Sequence, residues 1–120
     1  SAKAAYSEAN FSLSMAASGG YKAGQEGKVE IVLEAKAPFH ANDKYPYKFK
    51  TQESPGVTYP VAVVKKDQAK VENMKVTMPV AFTVADAGKQ RVSGVFHFSV
   101  CTDDKCLIEK RALAVDVDVK

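Results

Sequence analysis

Cys101 and Cys106 are the only two cysteines in the chain, and the sequence around them reads Phe-Ser-Val-Cys-Thr-Asp-Asp-Lys-Cys-Leu-Ile. Thr102, Asp103, Asp104 and Lys105 lie between them and are polar turn formers, so the chain can reverse there and bring the two sulfurs into bonding range. A pair placed like this can staple a hairpin, or it can exchange electrons through a thiolate and an accessible sulfur. Closing so short a loop contributes about 2 kcal/mol on the chain-entropy estimate, the low end for disulfides. The modest structural gain gives the redox chemistry weight. The neighbouring charges do not decide between the two: Lys105 favours a thiolate at Cys106, whereas Asp103 and Asp104 oppose one.

His40 and His97 are the other residues with chemistry to offer. They are the weak candidates for a metal site, with Cys101, Cys106, Met74 and Met78 as soft ligands of the kind copper takes. Their spacing matches no metal motif, so no metal and no cofactor is expected. His97 shares the parity of Cys101 along one strand, and His40 lies in a turn where a side chain commonly bonds to backbone. No Gly-x-Ser-x-Gly elbow accompanies the serines, and Gly19, Gly20, Gly24 and Gly27 lack the lysine and serine of a phosphate loop. Tyr45, Tyr47 and Phe49 form an aromatic stripe that reads as core packing rather than a ligand platform, because Lys48 and Lys50 occupy the opposite face.

The elements that would position the cysteines have a period of two. Phe11, Leu13 and Met15 alternate with serines, and Val29, Ile31, Leu33 and Ala35 with mostly polar residues. Val57, Tyr59, Val61 and Val63 form another such run, interrupted by Pro60. Val76, Met78, Val80, Phe82 and Val84 form the next, with Pro79 inside it. Both prolines point to edges or irregular segments. Val92, Phe96, Phe98 and Val100 share one face of a long strand, and Ser93, Val95, His97, Ser99 and Cys101 share the other, so Cys101 should point away from the phenylalanines. The returning strand alternates Leu107, Arg111, Leu113, Val115, Val117 and Val119 with Lys110, Ala112, Ala114, Asp116 and Asp118. The expected fold is all-β, an immunoglobulin-like antiparallel β-sandwich of about seven to nine short strands, with a closed barrel as the alternative. It occupies residues 1–120 as one domain, and residues 1–9 are expected to be loose or to form a short helical turn.

Composition narrows the function. The net charge of +3 comes from lysines scattered among acids, with no block long enough to follow a phosphate backbone, so no nucleic acid is expected as a partner. No apolar run reaches the roughly 20 residues of a membrane span. A close cysteine pair without zinc-type partners favours an oxidising compartment such as the periplasm. The sequence begins at Ser1, which suits a processed protein or a piece of a larger or lipid-anchored precursor.

Three segments carry a family resemblance. The stretch from Val92 to Ile108, Val-Ser-Gly-Val-Phe-His-Phe-Ser-Val-Cys-Thr-Asp-Asp-Lys-Cys-Leu-Ile, resembles the cysteine signature of the periplasmic N-terminal domain of DsbD-type thiol:disulfide interchange proteins. In that family a strand ends in a cysteine, a short acidic turn follows and a second cysteine opens the next strand. Ala-Pro-Phe-His-Ala-Asn-Asp-Lys-Tyr-Pro-Tyr-Lys-Phe-Lys, from Ala37, resembles the family's histidine and asparagine turn, and Pro-Gly-Val-Thr-Tyr-Pro, from Pro55, its next strand. The likeness runs from about Val29 to Val119. It implies an immunoglobulin-like periplasmic domain that receives electrons from a thioredoxin-like donor and passes them to oxidised client proteins. It further implies Cys106 as the sulfur attacked in exchange and Cys101 as its resolving partner. Leu107 and Ile108 stand where the family often has prolines, and Lys65 to Lys70, with Asp67 but no aromatic, where it has a shielding loop; a different cap or none is expected.

Two functional expectations follow. In the first, a monomeric domain cycles Cys101 and Cys106 between dithiol and disulfide. In the second, the disulfide only pins the last hairpin of a binding or assembly module, whose partner site is an edge strand near Pro60 or Pro79.

Overall fold

Apolar residues at every second position give each strand one face to bury, and two antiparallel sheets bury those faces against each other. The computed structural model describes residues Ser1–Lys120. Eleven strands form in chain order: β1 (Ala5–Ser7), β2 (Phe11–Ala17), β3 (Glu26–Ala35), β4 (His40–Ala41), β5 (Lys48–Thr51), β6 (Val57–Thr58), β7 (Val63–Lys65), β8 (Lys70–Val71), β9 (Lys75–Val84), β10 (Gly88–Cys101) and β11 (Cys106–Val119). The first sheet runs β1-β2-β3-β9-β6, with β8 also on β9. The second runs β11-β10-β5-β7, with β4 also on β10. The all-β sandwich expected from the sequence is the fold observed, and only Lys66–Gln68 forms a 3-10 turn.

The core takes Phe11, Leu13, Ile31, Leu33, Met78 and Phe82 from the first sheet and Phe49, Phe96, Phe98, Val100 and Leu113 from the second, all at most 2% exposed. Phe11 meets Phe98 edge-on at 4.9 Å across the two sheets, and Phe96 stacks on Phe98 at 5.5 Å. Each such side chain removed from water contributes about 1.5–3 kcal/mol, so the phenylalanine face of β10 is fixed toward the core. Its opposite face, which carries Cys101, must then look outward.

Three segments depart from the expected pattern. Residues near the N-terminus do not form a helical turn: Ala5–Ser7 is β1, paired with Ser12–Ser14, and the Tyr6 hydroxyl donates to the Ala112 carbonyl at 2.7 Å. An edge partner with unsatisfied backbone groups outweighs the weak helical preference of a few alanines. The run from Val57 to Val63 is not one strand. It crosses from β6 in the first sheet to β7 in the second, with Pro60 and a half-exposed Val61 in the crossing, because proline supplies no N–H to a ladder. Tyr47 and Phe49 are buried as expected, but β5 begins only at Lys48, after Pro46. Pro79 sits in β9 opposite Glu30 and faces the gap between β6 and β8, where β9 has no neighbour on that side.

Candidate functional site

β10 and β11 form one hairpin whose register runs without a break from Gly88 opposite Val119 to Cys101 opposite Cys106. At its tip the Thr102 N–H donates to the Lys105 carbonyl at 2.8 Å, and the Thr102 hydroxyl accepts from the N–H groups of Asp104 and Lys105, each at 3.2 Å. A threonine at the first turn position thus satisfies backbone donors that would otherwise depend on water. The hairpin alone brings the cysteines opposite each other, 4.0 Å apart at Cα, and their sulfurs are bonded.

The two sulfurs sit in different surroundings. Cys101 is 4% exposed, whereas Cys106 lies open at the surface. The cause is the sheet order: β10 is flanked on one side by β11 and on the other by β4, so Cys101 has Cys106 and His40 as its two register partners. Cys106 begins β11, the last strand of its sheet, and has a neighbour on one side only. As expected from its parity, Cys101 faces away from Phe96 and Phe98, but neighbours on its own face cover it.

Asn42 is the residue that ties the turn after β4 to this hairpin. Its side-chain amide donates to the Ser99 hydroxyl at 3.2 Å and approaches the Cys106 sulfur at 3.9 Å. Its own N–H donates to the Ser99 carbonyl at 3.1 Å, and its side-chain oxygen accepts from the Lys44 N–H at 3.0 Å. From the core side the Tyr47 hydroxyl donates to the carbonyls of Asn42, at 2.7 Å, and Ser99, at 3.0 Å. Burial pushes the Tyr47 phenol far above its ordinary range, so it stays a donor at any working pH. The sequence placed Asn42 only within a turn resembling that of a known family. Its contact with Cys106 joins residues 64 apart and has no local signal.

The histidines are separated. His40 shares the cysteine row, and its Nδ1 lies 3.2 Å from the Ala41 carbonyl. His97 stands two rows away between Lys48 and Lys110. Burial, and then Lys48, Lys50 and Lys110, hold the His97 imidazole below its usual pKa. Lysines that disfavour a proton also disfavour a metal cation, and no three His, Cys, Asp or Glu side chains are arranged so that they could hold a metal ion. The Lys65–Lys70 segment does not close over Cys106: it holds the turn beside it instead, with Lys66 Nζ bonded to the Asp43 carbonyl at 2.5 Å.

A separate groove of about 750 Å³ is lined by Pro60 to Lys65, Lys28, Asp67, Gln68, Pro79 and Ala81. No residue of the cysteine row belongs to it. No family model matches the chain, and no curated protein matches it either. No helix is long and apolar enough to cross a membrane.

Proposed function

We propose that this chain is an extracytoplasmic thiol-disulfide exchange domain similar to the N-terminal domain of DsbD-type interchange proteins. The observation that carries the reading is the asymmetry of the pair, one cysteine exposed on a terminal strand and the other buried beside it. Exchange needs a sulfur that an attacking thiolate can reach, and the asymmetry offers Cys106 as that sulfur. A donor thiolate attacks Cys106 Sγ, the bond between the two sulfurs breaks, and Cys101 leaves as a thiolate that takes a proton from solvent. The donor's second thiolate then attacks the mixed disulfide and releases Cys106, which leaves this domain reduced and the donor oxidised. In the forward direction the Cys106 thiolate attacks an oxidised client, and Cys101 resolves the mixed disulfide while the client leaves as a dithiol. A thioredoxin-like donor and oxidised client proteins are the partners this reading implies, in a periplasmic or other oxidising compartment where the pair can form.

The test is the reduction potential of the pair, with thiols counted by mass after alkylation in graded glutathione or dithiothreitol buffers. A value above about −300 mV supports exchange, and Cys101→Ser should then accumulate mixed disulfides through Cys106. A value well below that makes the bond a staple and ends the reading. The groove at Pro60 to Lys65 favours the second reading, a binding module, because Val61 is 50% exposed there. That module would keep its ligand when Cys101 and Cys106 are both replaced by serine.

A further inference from the structure

The outer face of the second sheet carries a line of basic side chains, three lysines and His97, near the exposed cysteine. Register places Lys65, Lys48, His97 and Lys110 side by side across β7, β5, β10 and β11, and Lys50 projects from the same face one row further. Neighbouring strands lie about 4.8 Å apart, and like charges directly opposite one another destabilise a sheet. No acid stands in this row. The molecule's single ion pair, Arg111 with Glu109 at 2.9 Å, uses residues of the opposite parity on β11. The acids of this face stand away from the row: Asp116 and Asp118 share the parity of Lys110 on β11 but lie opposite Arg91 and Lys89, six and eight positions along, and Asp43, Asp67, Asp103 and Asp104 lie in the short connecting segments at its margins. Fold stability does not account for the row.

Between the basic row and the cysteines is an exposed apolar side chain. Ile108 is 73% exposed, the most exposed of the large hydrophobic residues, and it follows Cys106 by two positions on the same face as Lys110. At about 3.4 Å per residue, Cys106, Ile108 and Lys110 stand roughly 7 Å apart in sequence along one strand. An attackable sulfur, an apolar knob and an unneutralised basic row are therefore collinear.

We infer that this face is the docking surface for a redox partner protein whose own cysteine is flanked by an apolar seat and an acidic surface. The inference rests on the exchange reading and adds the chemistry of the partner. Ile108 fills the seat, Lys48 and Lys110 meet the acids, and the acidic tip at Asp103 and Asp104 sets the orientation, since it repels an acidic surface placed the other way round. A row this short does not follow a nucleic-acid backbone, and an exposed isoleucine next to a disulfide fits a protein surface.

Two synthetic peptides test it, each with one cysteine beside a leucine, one flanked by aspartates and glutamates and the other by lysines. The rate at which each opens the Cys101–Cys106 bond is measured at low and high salt by the mass of the mixed disulfide. Lys48→Glu/Lys110→Glu should reduce the acidic peptide's rate relative to the basic one by about tenfold at low salt. The change should largely vanish near 0.5 M salt. Comparing the ratio between proteins cancels the peptides' own thiol reactivities. Ile108→Ser should slow both peptides and leave the ratio unchanged. Uncharged dithiothreitol should open all variants at one rate. An unchanged ratio in the double variant overturns the docking surface while leaving exchange intact, and resistance of the wild-type bond to dithiothreitol overturns both. Co-sedimentation with anionic phosphatidylglycerol vesicles that the double variant abolishes would assign the row to a lipid surface and overturn the protein partner.

Discussion

Reducing the bond between Cys101 and Cys106 should cost this fold little. The disulfide closes a loop of only five residues' separation, for which the entropy removed from the unfolded chain amounts to about 2 kcal/mol. In the native state the cysteines are already opposite each other, because the backbone register of β10 and β11 and the hydrogen-bonded turn at Thr102 put them there. Over 120 residues, an unfolding entropy of about 2.1 cal/mol/K per residue makes 2 kcal/mol worth a fall of about 8 °C in Tm. By the thermodynamic cycle linking folding to reduction, the same 2 kcal/mol lowers the potential of the folded pair by only about 40 mV relative to the unfolded chain. The assay is calorimetry of the oxidised protein and of the protein reduced by a phosphine, with thiols counted in each sample. A loss above about 5 kcal/mol, near 20 °C, would show that folding itself holds the pair oxidised, and the case for exchange would collapse.

Three further outcomes follow from the framework around the site. Tyr47→Phe removes a donor from the carbonyls of Asn42 and Ser99 and should cost about 1–3 kcal/mol in urea unfolding; an unchanged midpoint would mean that water replaces the phenol. Gly94→Ala would place a Cβ 2.3 Å from the Lys50 carbonyl and 2.5 Å from the Phe49 ring, so it should destabilise by more than about 2 kcal/mol through the pairing of β10 with β5; a neutral thermal melt would refute that close approach. Because the folded His97 is held below its unfolded value of about 6.5, its contribution is fully present above that pH and is lost as pH falls from there toward the folded pKa. Lys48→Gln, which removes the largest of the three lysine contributions, should make that acid limb shallower and raise stability at pH 5.5, and a limb unchanged from the wild type would show that Lys48 does not act on the ring.

Much of the site could be read locally because its logic is local. Alternation along β10 and β11 put Phe96 and Phe98 inward and Cys101 outward, and the polar turn between the cysteines announced the hairpin. The same parity argument places Ile108 on the face of Lys110, where it is 73% exposed. What could not be read depends on strands brought together from far apart. The burial of Cys101 needs β4 from some 60 residues upstream, and the basic row needs the register of β5 and β7 as well as the hairpin. Ser93 and Ser99 have outward parity yet are buried, because Tyr59 hydrogen-bonds to the backbone of Ser93 and Asn42 to the hydroxyl of Ser99. Periodicity assigns a face, but only tertiary packing says whether the face is open.

The sandwich separates the chemistry of the pair from the stability of the chain. Electron exchange requires that breaking and remaking the bond leave the surrounding structure in place, so that the protein remains a competent partner in both states. Here the neighbours that define the site are held by other means: Ser99 and Asn42 by each other and by Tyr47, the turn by Thr102, and the strands by a core in which neither sulfur is needed. Cys101 is enclosed between His40 and Cys106, so small oxidants and stray thiols reach it less easily than they reach its partner. On the exchange reading, attack is thereby directed to one sulfur, and the identity of the attacker falls to what surrounds that sulfur on the open face. There the structure offers an isoleucine and a line of lysines rather than a lid. On that reading selectivity rests on the match between two surfaces at the moment of encounter, which is a rate effect and should fade with salt, whereas a lid would protect the bond at any ionic strength.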